Sequence, residues 1–462
     1  MSKDITRREA IREMLLAGAG IAVSGSLLDA CARRSGNAAL ADAVMEPAPE
    51  GSRIDAQTWR TLGETIGMLG LGCMRLPTVG GGAAGFGVSH LDQEAVNAMV
   101  DYAIAHGVNY FDTAPAYGES EVVTGNALKR HPRESFKIAT KLSNFAYGAA
   151  SPSLEDGKKM FETSLKNLQV DYVDFLLLHA VNSTDELESR FIKNGLLDYL
   201  KEQKAAGRIK HLGFSFHGDN AALPAILDKG NWDFVQIQLN YLDWKDMGGG
   251  FGGGGGQTSA ESLYNTLVAR NIPIVVMEPV KGGALATVSD ALKARMQERH
   301  PGLSPAANAL SFVGSLPGVM VTLSGMSNMD QLKENVALFT DFKPFKADDL
   351  AFMQTIADLY KANTHIPCTG CAYCMPCPHG VNIPGNFKAY NTASDNLNIP
   401  DPANKGKDYN KQKKAFLKLY NELPVSARAD MCVNCNACVP KCPQHIRIPG
   451  QLNMIRELVS KL

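Results

Sequence analysis

Eight of the 10 cysteines in this 462-residue chain lie between Cys368 and Cys442, in two runs. The first, CTGCAYCMPCP, sets Cys368, Cys371, Cys374 and Cys377 at steps of three with Pro378 behind them. The second, CVNCNACVPKCP, sets Cys432, Cys435, Cys438 and Cys442 as C-x2-C-x2-C-x3-C, followed by Pro443. Thiolates at these steps wrap a compact inorganic centre, and eight of them supply two [4Fe-4S] clusters. Tetrahedral zinc is the alternative, because C-x2-C pairs also build zinc sites, although zinc seldom takes four cysteines in unbroken steps of three. In the crossover of the C-x2-C-x2-C-x3-C-P run, three thiolates hold one cluster and the fourth reaches the other. That pairs Cys368, Cys371 and Cys374 with Cys442, and Cys432, Cys435 and Cys438 with Cys377. The distribution excludes a disulfide-stapled secreted scaffold.

A second set could do acid-base chemistry: Asp112, Tyr117, Lys141 and His179. A tyrosine hydroxyl titrates near ~10 and gives up its proton poorly at neutral pH. An ammonium from Lys141 stabilises the phenolate and is expected to lower that value, with Asp112 holding the lysine charged and oriented. His179 can hydrogen-bond the same carbonyl oxygen. Such a set protonates a carbonyl oxygen while a hydride reaches the carbon. Taken singly, each of these residues also has an ordinary structural reading.

These residues converge only if the chain brings strand ends together. Near-continuous apolar runs at 68–73, 108–113, 136–142, 172–179, 209–216, 234–242, 272–280 and 319–324 alternate with helix-length amphipathic segments. Eight such strands predict a parallel sheet buried on both faces. At roughly 270 residues, a closed (β/α)8 TIM barrel is the economical α/β fold. An open doubly wound sheet is the alternative, but no G-x-G-x-x-G follows the first strand. At the C-terminal strand ends stand Asp112, Lys141, His179, Ser215, Gln236, Gln238, Asn240 and Glu278, with Tyr117 in the loop after Asp112. The expected organisation is a signal at 1–31, a linker at 32–58, the barrel at 59–342, a connecting helix at 343–367 and a smaller α-helical ferredoxin-like domain at 368–462. A formal net charge of -1 offers no electrostatic footprint for nucleic acid, so no nucleic-acid partner is expected.

The N-terminus reads as an address. Arg7 and Arg8 precede a short apolar run of small residues from Met14 to Leu28, the architecture of a twin-arginine export signal. Leu28-Asp29-Ala30-Cys31 resembles a lipoprotein box, so Cys31 is a candidate lipid anchor. The expected location is the periplasm or cell envelope; a cytoplasmic protein with a charged amphipathic N-terminus is the alternative. The stretch GGGFGGGGG at 248–256 reads either as a mobile lid after the sixth strand or as a tolerated insertion. Lysines between Lys405 and Lys418 could dock an acidic redox partner or form a solvated helix face.

The middle of the chain resembles the aldo/keto reductase family. The motifs carrying this are GLGCMRLP from Gly70, NYFDTAPAYG from Asn109, KIATKL from Lys137, DFLLLHA from Asp174, GFSFHG from Gly213, VQIQLNYLD from Val235, MEPVKGG from Met277 and SGMSNMDQLKEN from Ser324. The resemblance implies that Tyr117 is the general acid, Lys141 and Asp112 tune it, and His179 orients a small-molecule carbonyl substrate. It implies that Ser215 and Gln236 hold a nicotinamide, and that Ser324, Gly325, Ser327, Gln331, Glu334 and Asn335 hold the adenosine end of NADP(H). The chain departs from many reductases in lacking a cation where Gly325 and Gln331 stand; Gln331, Glu334 and Asn335 resemble the potassium-channel β-subunit branch. The CTGCAYCMPCPHGVNIP segment is similar to the tail of reductases that carry a ferredoxin-type domain.

Two functions follow. One is an oxidoreductase that reduces or oxidises a carbonyl in the barrel, with the clusters as conduit to a protein redox partner. The other is an electron-transfer or redox-sensing protein with a non-catalytic barrel, against which the intact tetrad argues. Nicotinamide moves two electrons as hydride and each cluster one, and no flavin motif is visible. An exported chain meets no free NADPH pool, so a nucleotide travels bound or the clusters replace it.

Overall fold

The computed structural model describes residues 49, 51–59, 61–83, 90–147, 152–247, 258–362, 366–396, 398–402, 405–442, 444 and 446–462. The export signal with Arg7 and Arg8, Cys31, most of the linker, the glycine run at 248–256 and Pro443 lie outside them.

A hairpin, β1 (Ala56–Trp59) and β2 (Glu64–Gly67), comes first, paired antiparallel with Trp59 opposite Glu64. It begins inside the expected linker. Four-residue strands are too short to show period-two alternation, and the hairpin is held by what it plugs: Ile66 is fully buried among barrel-interior side chains.

The barrel strands are β3 (Leu69–Gly72), β4 (Tyr110–Asp112), β5 (Lys137–Leu142), β6 (Val173–Leu178), β7 (Ile209–Phe216), β8 (Phe234–Gln238), β9 (Ile274–Met277) and β10 (Val319–Ser324). They close in the order β10, β3, β4, β5, β6, β7, β8, β9, all parallel. The strands are apolar throughout because alternate residues serve two cores. Tyr110, Phe175, Phe234, Val275 and Val321 fill the interior. Phe111, Ile138, Leu176, Phe214 and Val276 pack outward under the helices. Gly70 is required by close packing inside the barrel, where a Cβ would meet the Val321 side chain at 2.6 Å.

Two strands, β8 and β9, stop well short of their apolar runs. After β8, Asn240 Oδ1 accepts from the Asp243 amide at 2.9 Å and turns the chain. After β9, Glu278 takes φ 55 and Pro279 follows, which ends any ladder.

The ring of helices comprises α1 (Gln93–Ala105), α2 (Ser120–Leu128), α3 (Leu154–Leu168), α4 (Leu196–Ala205), α5 (Ala222–Leu227), α6 (Ala260–Ala269), α7 (Asp290–Arg299), α8 (Pro305–Gly314), α9 (Met329–Thr340) and α10 (Ala347–Ala362). Several starts are capped by the sequence: Ser153 and Asp156 form a reciprocal capping box on α3, and Asn328 accepts from the Gln331 amide on α9. The helix expected as a connector, α10, buries Met353, Ile356, Ala357 and Tyr360 in the barrel's outer core. The cysteine module has its own core, built on α11 (Ile383–Asp395), α12 (Tyr409–Asn421) and α13 (Ile448–Ser460) around Phe387, Phe416 and Ile455. The Lys-rich stretch forms α12, with Phe416 and Tyr420 buried and Lys411, Lys414 and Lys418 exposed.

Candidate active site

Parallel register delivers the four acid-base residues to one end of the barrel. Asp112 closes β4 beside Ala139, two residues before Lys141 on β5, so both face the same side. His179 follows β6, and Tyr117 ends a short turn, Pro115–Tyr117, begun by Pro115. All four line one cavity of about 410 Å3. The expected nucleotide residues Ser215, Gln236, Ser324, Gly325, Ser327, Gln331, Glu334 and Asn335 line the same cavity.

Lys141 is buried, donating to Asp112 Oδ1 at 2.5 Å and to the Thr113 carbonyl at 2.9 Å. Its Nζ lies 5.0 Å from the Tyr117 ring centre. Asp112 Oδ2 accepts from Gln236 Nε2 at 3.2 Å. Burial pushes Tyr117 well above its usual value, and the Asp112 carboxylate adds to the rise. The lowering expected from Lys141 is thus not the net result, because burial and the nearby Asp112 charge dominate. Burial also holds His179 well below the usual imidazole value, helped by Lys141, His217 and Arg190. His179 Nδ1 lies 2.5 Å from Ser143 Oγ, and its carbonyl accepts from Arg190 at 2.6 Å.

Two polar atoms here have free bonding capacity. Gln236 Oε1 and Glu334 Oε1 are buried with no partner. Ser215 Oγ accepts from the Ala180 amide at 2.9 Å, which leaves its hydrogen to donate. At the far end, Asn335 Nδ2 donates to Ser324 Oγ at 3.0 Å and Gln331 Oε1, in the first turn of α9, accepts from the Ser327 amide at 2.7 Å.

Gln238 and Asn240 do not reach the cavity. They donate to Asp243 Oδ2 at 2.8 and 2.9 Å, and Lys281 Nζ meets both Asp243 oxygens at 2.8 and 2.7 Å. This buried pair fixes the loop after β9, where Glu278 does line the cavity. Motif reading missed Arg75, His217 and Tyr373, which also line it. Arg75 sits in GLGCMRLP and Tyr373 between two cysteines, so each was visible only as part of another motif.

The cysteines gather as the crossover requires. Cys368, Cys371, Cys374 and Cys442 line one cavity, and Cys377, Cys432, Cys435 and Cys438 another. Both runs use the same backbone device, left-handed residues on each side of the second cysteine: Gly370 and Ala372 around Cys371, Asn434 and Asn436 around Cys435. Gly and Asn adopt that region readily, which lets the loop wind around a central body. Burial and the neighbouring thiols push Cys374 up to about 12. Four thiols converging on each small cavity are the donor set that iron-sulfur clusters take.

The aldo/keto reductase family model matches residues 69–358, and a 4Fe-4S dicluster domain model matches 367–447. "Uncharacterized oxidoreductase YqkF" of Bacillus subtilis is 25% identical over 64% of this chain and 95% of its own length. "Protein tas" of Escherichia coli is 30% identical over 57% of this chain and 89% of its own. A soybean (Glycine max) protein named "Probable aldo-keto reductase 1" is 31% identical over 34% of this chain, a match spanning 43% of its own length. The solved aldo-keto reductase AKR11C1 from Bacillus halodurans shares the fold, with a TM-score of 0.52 at 23% identity over 66% of this chain and 96% of its own. The order of these domains along one polypeptide identifies the chain as a member of the aldo/keto reductase family with a 4Fe-4S dicluster domain at its C-terminal side.

Proposed function

We propose that the chain is an NADP(H)-linked carbonyl oxidoreductase whose barrel pocket exchanges electrons with two [4Fe-4S] clusters held by the eight cysteines. The observation that carries this is the buried pair of Asp112 and Lys141 beside Tyr117, in a cavity that His179 also lines. Bound nicotinamide supplies a hydride to the carbonyl carbon, and each cluster a one-electron store.

The remaining work falls to the chain's own residues. Tyr117 gives its hydroxyl proton to the carbonyl oxygen. Burial keeps that proton in place at neutral pH, and the Lys141 charge stabilises the phenolate left behind. His179 is neutral; with Ser143 Oγ donating to Nδ1, its ring proton sits on Nε2 and can bond the same oxygen. Gln236 Oε1 accepts from, and the Ser215 hydroxyl donates to, a nicotinamide carboxamide. Ser324, Gly325, Ser327, Gln331, Glu334 and Asn335 hold the adenosine end, and Arg75 brings positive charge for phosphate to the same wall. Export through Arg7 and Arg8, with attachment at Cys31, belongs to the same proposal.

Replacing Tyr117 by Phe tests it. NADPH-dependent reduction of carbonyls should fall about 10²–10⁴-fold with nucleotide binding retained. Undiminished turnover with every carbonyl tried would show the acid to be elsewhere.

A further inference from the structure

The two cysteine sets are not equivalent. Thr369 and Gln444, in the wall around Cys368, Cys371, Cys374 and Cys442, are bonded to barrel-pocket residues. Arg75 Nη2 donates to the Thr369 carbonyl at 3.4 Å, and Gln444 Nε2 to Glu278 Oε2 at 3.1 Å. Tyr373, between Cys371 and Cys374 in the chain, lines the pocket itself. Among the described residues, none around the second set lines that pocket. Ile383 lines both cysteine cavities and so lies between the sets.

The second set faces outward. Cys374 and Cys442 of the inner set are buried, whereas Cys435 of the outer set is exposed. The segment 431–437 around it carries no charged residue in a chain that is 20% charged. Met431 is 41% and Val433 59% exposed, and Val433 also lines the outer cavity. Arg428 and Asp430 precede this segment in the chain and Lys441 follows it. An uncharged centre with a charged rim is the anatomy of a protein docking surface.

Resting on the cluster assignment above, we propose that Met431, Val433 and the Cys435 loop form the docking surface for a one-electron protein carrier. Electrons enter at the outer set, pass Ile383 to the inner set and reach the pocket beside Tyr373. Tunnelling falls off exponentially with distance, so a carrier must approach the most exposed cysteine. Each docking event oxidises the carrier by one electron and reduces the chain by one, with no atom moved. Two events and one proton from water return bound NADP+ to NADPH, whose hydride, together with the Tyr117 proton, converts one carbonyl to an alcohol.

The test mixes the iron-loaded full chain anaerobically with flavodoxin hydroquinone, or with dithionite, and follows bleaching of the visible absorbance. Met431→Glu and Val433→Gln should keep the iron content, the paramagnetic resonance signals and the dithionite rate. Their flavodoxin rate should fall, for Met431→Glu by about tenfold or more. Lys411→Glu combined with Lys414→Glu should leave it within about twofold. The surface is overturned if Met431→Glu is reduced by flavodoxin as fast as wild type, if only the lysine variant slows, if both reductants slow alike, or if flavodoxin fails on wild type where dithionite succeeds. A chain that binds no iron overturns the cluster assignment as well. NADPH-dependent carbonyl turnover that persists in Met431→Glu while the flavodoxin rate collapses supports the surface and leaves the barrel chemistry standing.

Discussion

Tyr117 and His179 share a cavity and are moved in opposite senses by one cause. Burial disfavours the charged form of each, so the tyrosine stays protonated and the imidazole stays neutral across the neutral range. His179 sits below its ordinary value of ~6.5 and so gains no charge until the solution is more acid than that; Tyr117 sits above ~10 and loses its proton only beyond it. The expected profile of kcat/KM for carbonyl reduction is therefore flat through pH ~6.5, with its acid limb displaced below that value and its alkaline limb above ~10. A limb centred at the ordinary histidine value, and absent from His179→Gln, would contradict this. The identity of the tetrad was legible in the sequence because each member stands at or just after a strand end. The direction of the Tyr117 shift was not, since it depends on how deeply the folded barrel buries the hydroxyl. Arg75 and Tyr373 stayed hidden because a motif does not say which neighbouring segment its side chains meet.

The element that joins the two halves is the loop after β9. Lys281 and Asp243, each 4% exposed, form an ion pair whose carboxylate also takes bonds from Gln238 and Asn240. Lys281→Met leaves Asp243 buried and uncompensated, and should cost about 3–5 kcal/mol in denaturant unfolding. An unchanged midpoint and slope would mean that the pair does not hold the loop. Next to it, Gly282 has φ 62, and a Cβ there would come 2.7 Å from the Thr369 Cβ, so the module seats where only glycine fits. The strands were readable because double-sided burial leaves unbroken apolar runs. Their ends were overrun at β8 and β9, where Asn240 and Glu278 end the ladders by turn chemistry that hydrophobicity does not register. The hairpin β1 and β2 left no periodic signal at four residues each.

At the scale of the whole molecule, the lopsided cysteine count marked a separate module, and the structure adds how it meets the barrel. The inner cysteine set adjoins the pocket through Tyr373, and Cys435 of the outer set is exposed. Sequence could assign the two sets by their spacing, yet not which set adjoins the pocket, because that depends on Thr369 and Gln444 meeting residues far away in the chain. This arrangement predicts that the pocket and clusters share electrons. The direct measurement is anaerobic titration of the iron-loaded protein with NADPH, followed by electron paramagnetic resonance. Signals of reduced clusters should grow as NADPH is added. Clusters that stay silent with NADPH, yet are reduced by dithionite, would contradict electron exchange between the barrel and the cysteine module.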